Sequence, residues 1–531
     1  MGFYLNSKEC LENFTKTTRE NYFVDKSALI SELFASLNID NRFICITRPR
    51  RFGKSVAANM IASFFGKTNS SELFSHLTVS KSSGYKEHLN NHNVVFIDFS
   101  QNTETTYESF MLKIHSNLFA DLFAAFGLPP DQNENILSYI RRIHLELGEK
   151  FIFVFDEWDA PFRFKFMSES DKQSYIDFLH VLLKGQPYVE LAYMTGILPI
   201  RKYSSISDLN MFLDYSLTTQ ERYSSYFGFT ENEVDDLFIK YQKNHTTAFS
   251  REDLRYWYDG YTTSEGNHIY NPRSVVLAFS NEKLANYWTS SGPADEIFDL
   301  LRLNVSDIQK PVARMIAGET IECLIDEDSI NSESINSIEE IFSAMVVYGL
   351  LASDGTNRIK IPNYEILQKF DGVIRKKREL GYISRLAQKS SEVLEATLNM
   401  EEETVAELLE YVHDTETPLF SYNRENELTA VVNLLYLSAR DSYFVSREDK
   451  SGKGFTDFIF TPKNPSDDCI ILELKVDSSP EEAINQIKQK QYALRFKEKI
   501  SGKDYYSGRI LLVGISYSRK TKKHQCKIEK L

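Results

Sequence analysis

The chain has 531 residues, 42% hydrophobic and 26% charged, with a formal net charge of −14. That length implies about two to four domains, the composition suits a globular protein with sizeable cores, and the acidity argues against a generic nucleic-acid coat. No run approaches the ~18 consecutive apolar residues of a membrane helix, so no membrane partner is expected. The opening MGFYLNSKECLENF lacks a basic-then-apolar leader. Cys10, Cys45, Cys323, Cys469 and Cys526 form no CxxC pair, which argues against a disulfide framework or zinc site and for a reducing cytoplasm.

Four apolar strands are expected first, at Phe43–Thr47, Val94–Phe99, Phe151–Phe155 and Leu191–Thr195, with helical spacing between them. Strands alternating with helices predict a parallel sheet covered on both faces. Ligands of such sheets sit at the carboxyl ends of strands. From about Glu231 amphipathic helices dominate, interrupted by RYWYDGY (Arg255–Tyr261). Residues 320–400 are mixed and mostly helical, Glu401–His413 reads as one more helix, and a third unit begins past Thr417-Pro418. The expected division is 1–230 for the parallel sheet, 231–416 for a mainly helical lid or spacer, and 417–531 for a C-terminal α/β domain.

Arg42–Ser55 reads RFICITRPRRFGKS, a strand running into a turn that ends in Gly-Lys-Ser. In the usual loop, GxxxxGK[ST], backbone N–H groups cradle phosphate, the Lys reaches the terminal phosphates and the hydroxyl binds Mg²⁺. Gly53, Lys54 and Ser55 fit, while Arg48 stands where the first glycine normally relieves strain. Arg50 and Arg51, inside the loop, are candidates to touch phosphate or a neighbouring subunit. Phe52 and Val56 complete the expected nucleotide-binding set. Further on, FIFVFDEWD ends a buried strand with Asp156, a candidate Mg²⁺ holder, and Glu157, a candidate to orient and polarise the attacking water. Thr195 is a candidate γ-phosphate sensor, Arg201 and Arg222 are candidates to neutralise phosphate charge, and Asp98 is a candidate supporting acid. Trp158 reads as packing.

In GKGFTDFIF, Phe455, Asp457 and Ile459 share one strand face; in CIILELKV, Ile471, Glu473 and Lys475 share another. Two adjacent strands would converge Asp457, Glu473 and Lys475: carboxylates for Mg²⁺, with Mn²⁺ as an alternative, and a lysine to position or activate water. Charges in so apolar a strand are costly unless paired or functional. In the preceding helix, ENELTAVVNLLYLSA, Leu428, Val431, Val432 and Leu435 form a buried stripe. Glu425 and Glu427 each lie one turn before a stripe residue, and helical spacing does not separate them as a third carboxylate. Gln486 and Tyr492 follow the lysine and could position it or backbone phosphates. From Gln486 to Leu531 there are 13 Lys/Arg and 3 Asp/Glu, a local balance of +10 that could track phosphates. His524 and Cys526 lack two further metal ligands and read as a surface hairpin.

Taken together, YFVDKSALI, TRPRRFGKS, FVFDEWDAP and MTG resemble the AAA-ATPase-like family that is often fused to a nuclease-like domain. That family also carries Arg in the first glycine position. Its YYVDKT element corresponds to Tyr22–Ser27, with Phe23 for the second Tyr and Ser27 for Thr; WYDGY and IYNPRSV are similar as well. The resemblance implies an ATP- and Mg²⁺-binding module over about residues 4–290. The stretches YNRENELTAVVNLLYLSA, REDKSGKGFTDFIF, ILELK, AINQIKQKQY, LLVGISYS and KKHQCKIE resemble the PD-(D/E)XK nuclease superfamily over roughly Leu419–Leu531. The family often opens this helix with Asn-Glu, like Asn426-Glu427, which favours Glu427.

The expectation is therefore an α/β protein: an N-terminal AAA-type P-loop sheet with helices on both faces, a helical middle, and a restriction-endonuclease-like C-terminal domain. Its expected function is ATP binding and hydrolysis coupled to a metal-dependent nuclease acting on nucleic acid, DNA favoured. The alternatives are a nucleotide-switch signalling or scaffold ATPase whose C-terminal domain binds without cutting, and a DNA-binding motor. AAA-type ATPases often place an Arg across a subunit boundary, which leaves a homo-oligomer open. A role in bacterial defence or genome maintenance rests on family association alone.

Overall fold

Five parallel strands form the N-terminal sheet: β1 (Phe43–Thr47), β2 (Asn93–Asp98), β3 (Phe151–Asp156), β4 (Val189–Gly196) and β5 (Leu213–Tyr215). Their order is β2-β3-β4-β1-β5. The computed structural model describes residues 2–200, 209–217, 222–245, 248–263, 265–288, 308–316, 318–326, 337–376, 382–416, 425–451, 454–464, 466–489 and 508–531. The four strands expected from the sequence are present, with ends within two residues of those expected.

Side chains alternate across a strand, and the alternation divides the core in two. Ile44, Ile46, Val94, Ile152, Val154, Leu191 and Tyr193 face α1 (Lys8–Thr18) and α2 (Lys54–Phe65), meeting Phe14, Met60, Ile61 and Phe64. Cys45, Val95, Ile97, Phe153, Phe155, Ala192 and Met194 face α3 (Tyr107–Phe126), α4 (Ile136–Leu147) and α5 (Glu169–Leu183). Local signals fix these helices. Thr106 and Asn135 cap α3 and α4, Gly127 and Gly148 end them in left-handed conformations, and Ser168 with Asp171 forms a capping box on α5.

The chain divides into two compact units. One comprises Met1–Thr247, Leu254–Trp288 and Cys323–Arg358; the other comprises Ala248–Asp253, Thr289–Glu322 and Ile359–Leu531. The middle segment 231–416 is thus shared between them. Within the first unit a small antiparallel sheet forms from β6 (Phe229–Thr230), β7 (Tyr261–Thr262) and β8 (His268–Tyr270), in the order β6-β8-β7.

In the second unit α6 (Tyr382–Leu398), α7 (Glu402–Glu416) and α8 (Glu425–Leu435) precede a five-stranded sheet. Its strands are β9 (Tyr443–Ser451), β10 (Gly454–Pro462), β11 (Cys469–Val476), β12 (Ile510–Ser518) and β13 (Lys523–Lys530), in chain order across the sheet. Only the β11–β12 pair is parallel. Such a pair needs a crossover, and α9 (Pro480–Gln489) lies within it. Ile484 and Ile487 of α9 pack on Ile459, Ile471 and Leu512. The opposite face carries Phe460, whose ring lies 5.2 Å from that of Tyr436 just past α8. Among the described residues, no helix is long and apolar enough to cross a membrane.

Candidate active sites

The phosphate-loop pattern folds as a strand–turn–helix. Gly53 takes a left-handed conformation (φ 88°, ψ 12°) at the N-cap of α2, and Lys54 is the first helical residue. No atom lies within 4 Å of a Cβ built on Gly53, so backbone conformation and not crowding demands glycine there. Arg48 is buried at 1% exposure. Its Nη1 donates to the carbonyls of Thr47 (2.7 Å) and Tyr215 (2.6 Å), and its guanidinium lies 5.5 Å from the centre of the Phe227 ring. At the position of the usual first glycine, this chain has an arginine built into the core.

Asp98, Asp156 and Thr195 follow the strand residues that face α2, so alternation brings all three to the phosphate-helix side of the sheet. Because β4 lies between β1 and β3, Thr195 stands between the loop and the acid. Thr195 Oγ1 donates to Asp156 Oδ1, Glu157 N–H donates to the same oxygen at 3.1 Å, and the Ser55 hydroxyl is near enough to favour the charged carboxylate. Burial pushes the Asp156 carboxyl up to about 6; the nearby Ser55 hydroxyl and the Thr195 hydrogen bond oppose this and Asp98 adds to it. Lys54 Nζ donates to the carbonyls of Arg48 (2.8 Å) and Pro49 (2.9 Å). Burial lowers its pKa to about 8, against the pull of Asp156, Asp159 and Glu157. A hydroxyl and a carboxylate beside a lysine and a helix N-terminus fit a hard divalent cation with a polyphosphate.

The other loop residues have distinct placements. Phe52 is fully buried, in a cluster with Tyr261, Ile269 and Ala352. Arg51 has φ 69°, and its Nη1 donates to the carbonyls of Tyr287 (2.7 Å) and Trp288. The Arg50 carbonyl accepts from Trp288 Nε1 at 3.3 Å. Val56 is exposed on α2. Arg222 is exposed and lies over the ring of Tyr223; Arg201 lies outside the described residues.

In the C-terminal sheet, the regular β10–β11 pairing includes Phe458–Leu472. One residue earlier on β10, the Asp457 side chain supplies an acceptor for β11: its Oδ2 takes the N–H of Leu474 at 2.7 Å. Glu473 is 3% exposed. Its Oε1 accepts from Lys475 Nζ at 3.2 Å and from Gln486 Nε2. Gln486 reaches it because α9 approaches closely at Gly514, the residue paired with Glu473 on β12. A Cβ on Gly514 would meet the Pro480 carbonyl oxygen at 2.3 Å. Asp457, Glu473, Lys475 and Gln486 thus converge, and two carboxylates with a lysine fit a hard divalent cation. Glu425 and Glu427 both lie in the first turn of α8; their side chains, residues 490–507 of the basic segment and Tyr492 lie outside the described residues. His524 is buried on β13, its ring tilted against that of Tyr517 across the antiparallel β12–β13 hairpin, so the HxC pair lies in a hairpin as expected, but in a packed one rather than at the surface.

Residues 10–206 match the family model of predicted AAA-ATPases, and residues 424–525 match that of the PD-(D/E)XK nuclease superfamily. The chain joins an AAA-ATPase-like domain to a PD-(D/E)XK nuclease-like domain. An uncharacterized protein in the vnfD 5′ region of Azotobacter chroococcum mcd 1 is 28% identical over 287 residues, 53% of this chain. The match spans about half (52%) of that relative's own length. Among solved structures the chain is similar to the Walker-type ATPase paby2304 of Pyrococcus abyssi, at 12% identity and a TM-score of 0.39, over 66% of this chain and 96% of that one. It is also similar to the ORC2 protein of Aeropyrum pernix in its ADPNP–ADP complexes, at 10% and 0.30, over 66% and 93%.

The ATPase-like domain holds two residues that the sequence reading passed over. Asp159 is fully buried, and Arg163 bridges it to Glu157. The available signal was a third acid in DEWD followed one turn later by an arginine.

Proposed function

We propose that this protein binds and hydrolyses ATP and that its C-terminal domain is a metal-dependent nuclease acting on nucleic acid, DNA favoured. The observation that carries this reading is that each end of the chain brings acids within electrostatic reach of a lysine: Asp156, Asp159 and Glu157 near Lys54, with Thr195 on Asp156, and Glu473 with Asp457 near Lys475.

At the first site Lys54 exchanges its two carbonyl partners for the terminal phosphates, with Gly53 and the α2 N–H groups cradling them and Arg50 and Arg51 adding positive charge. Ser55 and Asp156 hold Mg²⁺, Thr195 contacts the γ-phosphate and Glu157 orients the attacking water. Phe52 fixes the loop through its buried ring, and Val56 continues the helix. At the second site Asp457 and Glu473 hold Mg²⁺ or Mn²⁺, Glu427 is the third carboxylate, and Lys475 positions water near the scissile phosphate, itself steadied by Glu473 and Gln486. A bound divalent ion supplies charge neutralisation at phosphorus and a more acidic water.

The test is cleavage of linear and circular DNA with Mg²⁺ or Mn²⁺, with and without ATP, beside Lys475→Ala. Cleavage lost in the variant while ATP turnover persists is the expected result. ATP turnover without cleavage under any condition would refute the nuclease half and leave the nucleotide-switch reading.

A further inference from the structure

The β3 motif continues as DEWD, and only its first two acids have a role in the reading above. The third, Asp159, has no exposed surface. A carboxylate withdrawn from water is costly unless paired. Arg163 Nη1 donates to Asp159 Oδ2 at 2.8 Å, and the N–H of Leu198, just past the end of β4, donates to the same oxygen at 3.3 Å. Arg163 ends the short 3₁₀ turn Ala160–Arg163, and its second terminal nitrogen, Nη2, donates to Glu157 Oε2 at 3.0 Å. One guanidinium therefore spans two acids with two nitrogens, a geometry that a planar fork supports and a point charge does not.

Glu157 needs such a hold. Its φ of 46° lies in the left-handed region, which is costly for a residue with a Cβ unless its surroundings fix it. The corner that carries it is seated tightly on β4. Trp158 N–H donates to the Thr195 carbonyl at 3.0 Å. A Cβ on Gly196 would lie 2.5 Å from Trp158 Nε1 and 2.9 Å from Asp159 Oδ1. Gly196 is thus required for DEWD to close against the strand that presents Thr195.

We infer that Arg163 is a positioning residue for ATP hydrolysis: anchored by Asp159 to the end of β4, it holds the carboxylate of Glu157 in one orientation beside Asp156. The inference rests on the reading of Glu157 as the residue that orients the attacking water. Arg163 acts through Glu157 and touches no substrate.

The experiment uses the full chain. Steady-state ATP hydrolysis with Mg²⁺, affinity for a fluorescent ATP analogue, and melting temperature are measured for wild type, Arg163→Ala, Arg163→Lys and Asp159→Asn. A misplacement of about 1 Å at a reacting group can cost on the order of 100-fold. Arg163→Ala is expected to lose kcat on that scale with analogue affinity unchanged. Arg163→Lys keeps a cation that reaches one acid at a time and recovers part of the rate; Asp159→Asn follows Arg163→Ala. Wild-type kcat in folded Arg163→Ala, or full kcat in Arg163→Lys should the alanine variant not fold, overturns the inference. So does a loss of analogue binding in step with kcat, which marks a scaffold role. A wild-type protein that turns over no ATP sinks the ATPase reading itself, and the inference with it; an active wild type with unaffected variants sinks the inference alone.

Discussion

Arg48→Gly would give this chain the residue most phosphate loops carry there, yet the structure predicts damage. The arginine is buried, ties the end of β1 to Tyr215 on β5 through one nitrogen, and lies against Phe227. A hydrogen bond from a charged donor contributes about 1.5–3 kcal/mol and a cation–π contact about 0.5–2 kcal/mol. These share one guanidinium and do not add fully, and the desolvation of the buried charge offsets part of the gain. A net loss of about 3 kcal/mol follows, which lowers the melting temperature by roughly 6–12 °C at about 2–4 °C per kcal/mol. Thermal melting and ADP affinity of wild type, Arg48→Gly, Arg48→Ala and Arg48→Lys test this. The glycine and alanine variants are expected to melt early and bind ADP weakly. Lysine is expected to recover part of the loss, since a single nitrogen serves both carbonyls, but not the guanidinium's contact with the Phe227 ring. An Arg48→Gly protein with wild-type melting and equal or tighter ADP binding would refute the argument.

Asp156→Asn separates stability from function. Burial raises the folded-state pKa of Asp156 from 3.8 to about 6, so between about pH 4 and 6 the folded state holds this proton more tightly than the unfolded chain. The group's contribution is most favourable below about pH 4 and falls as pH rises through that window, by an order of 3 kcal/mol. The asparagine variant lacks that fall; calorimetry at neutral pH is expected to show a higher melting temperature beside lost ATP turnover. Gly514→Ala forces α9 off β12 at Pro480. Overpacking costs about 1–3 kcal/mol, and a cleavage rate reduced more than melting explains would mark the displacement of Gln486 from Glu473. Chelation of divalent ions is expected to stop cleavage and ATP turnover together, with Mn²⁺ restoring cleavage; activity in excess chelator would contradict the carboxylate reading.

Much of the architecture is legible in the sequence because apolar runs bounded by turn residues mark β1 to β4, and a period of two puts Asp457 beside Glu473 and Lys475. What is not legible depends on non-local approach. Strand β5 has three residues, Leu213–Tyr215, too few to show a period. The burial of Asp159 follows from how closely Gly196 lets the DEWD corner approach β4, and no local pattern encodes that. Likewise, Arg51 and Phe52 read as loop residues, but their side chains meet Trp288 and Tyr261, partners that become neighbours only on folding. Glu473 and Gln486 are brought together by Gly514, a residue whose importance is invisible until the helix above it is seen.

The amine of Lys54 rests on two carbonyls of its own loop, and burial lowers its pKa to about 8. Occupying this loop is consequently an exchange rather than a filling: an incoming anion must surrender hydration and also outcompete partners already in place. A polyphosphate, with several oxygens engaged at once by the backbone N–H groups, can do this where a single small anion cannot. Because a dianionic neighbour favours the charged ammonium, capture above about pH 8 draws a proton from solution, and ADP binding heats measured in buffers of different ionisation enthalpy will differ accordingly.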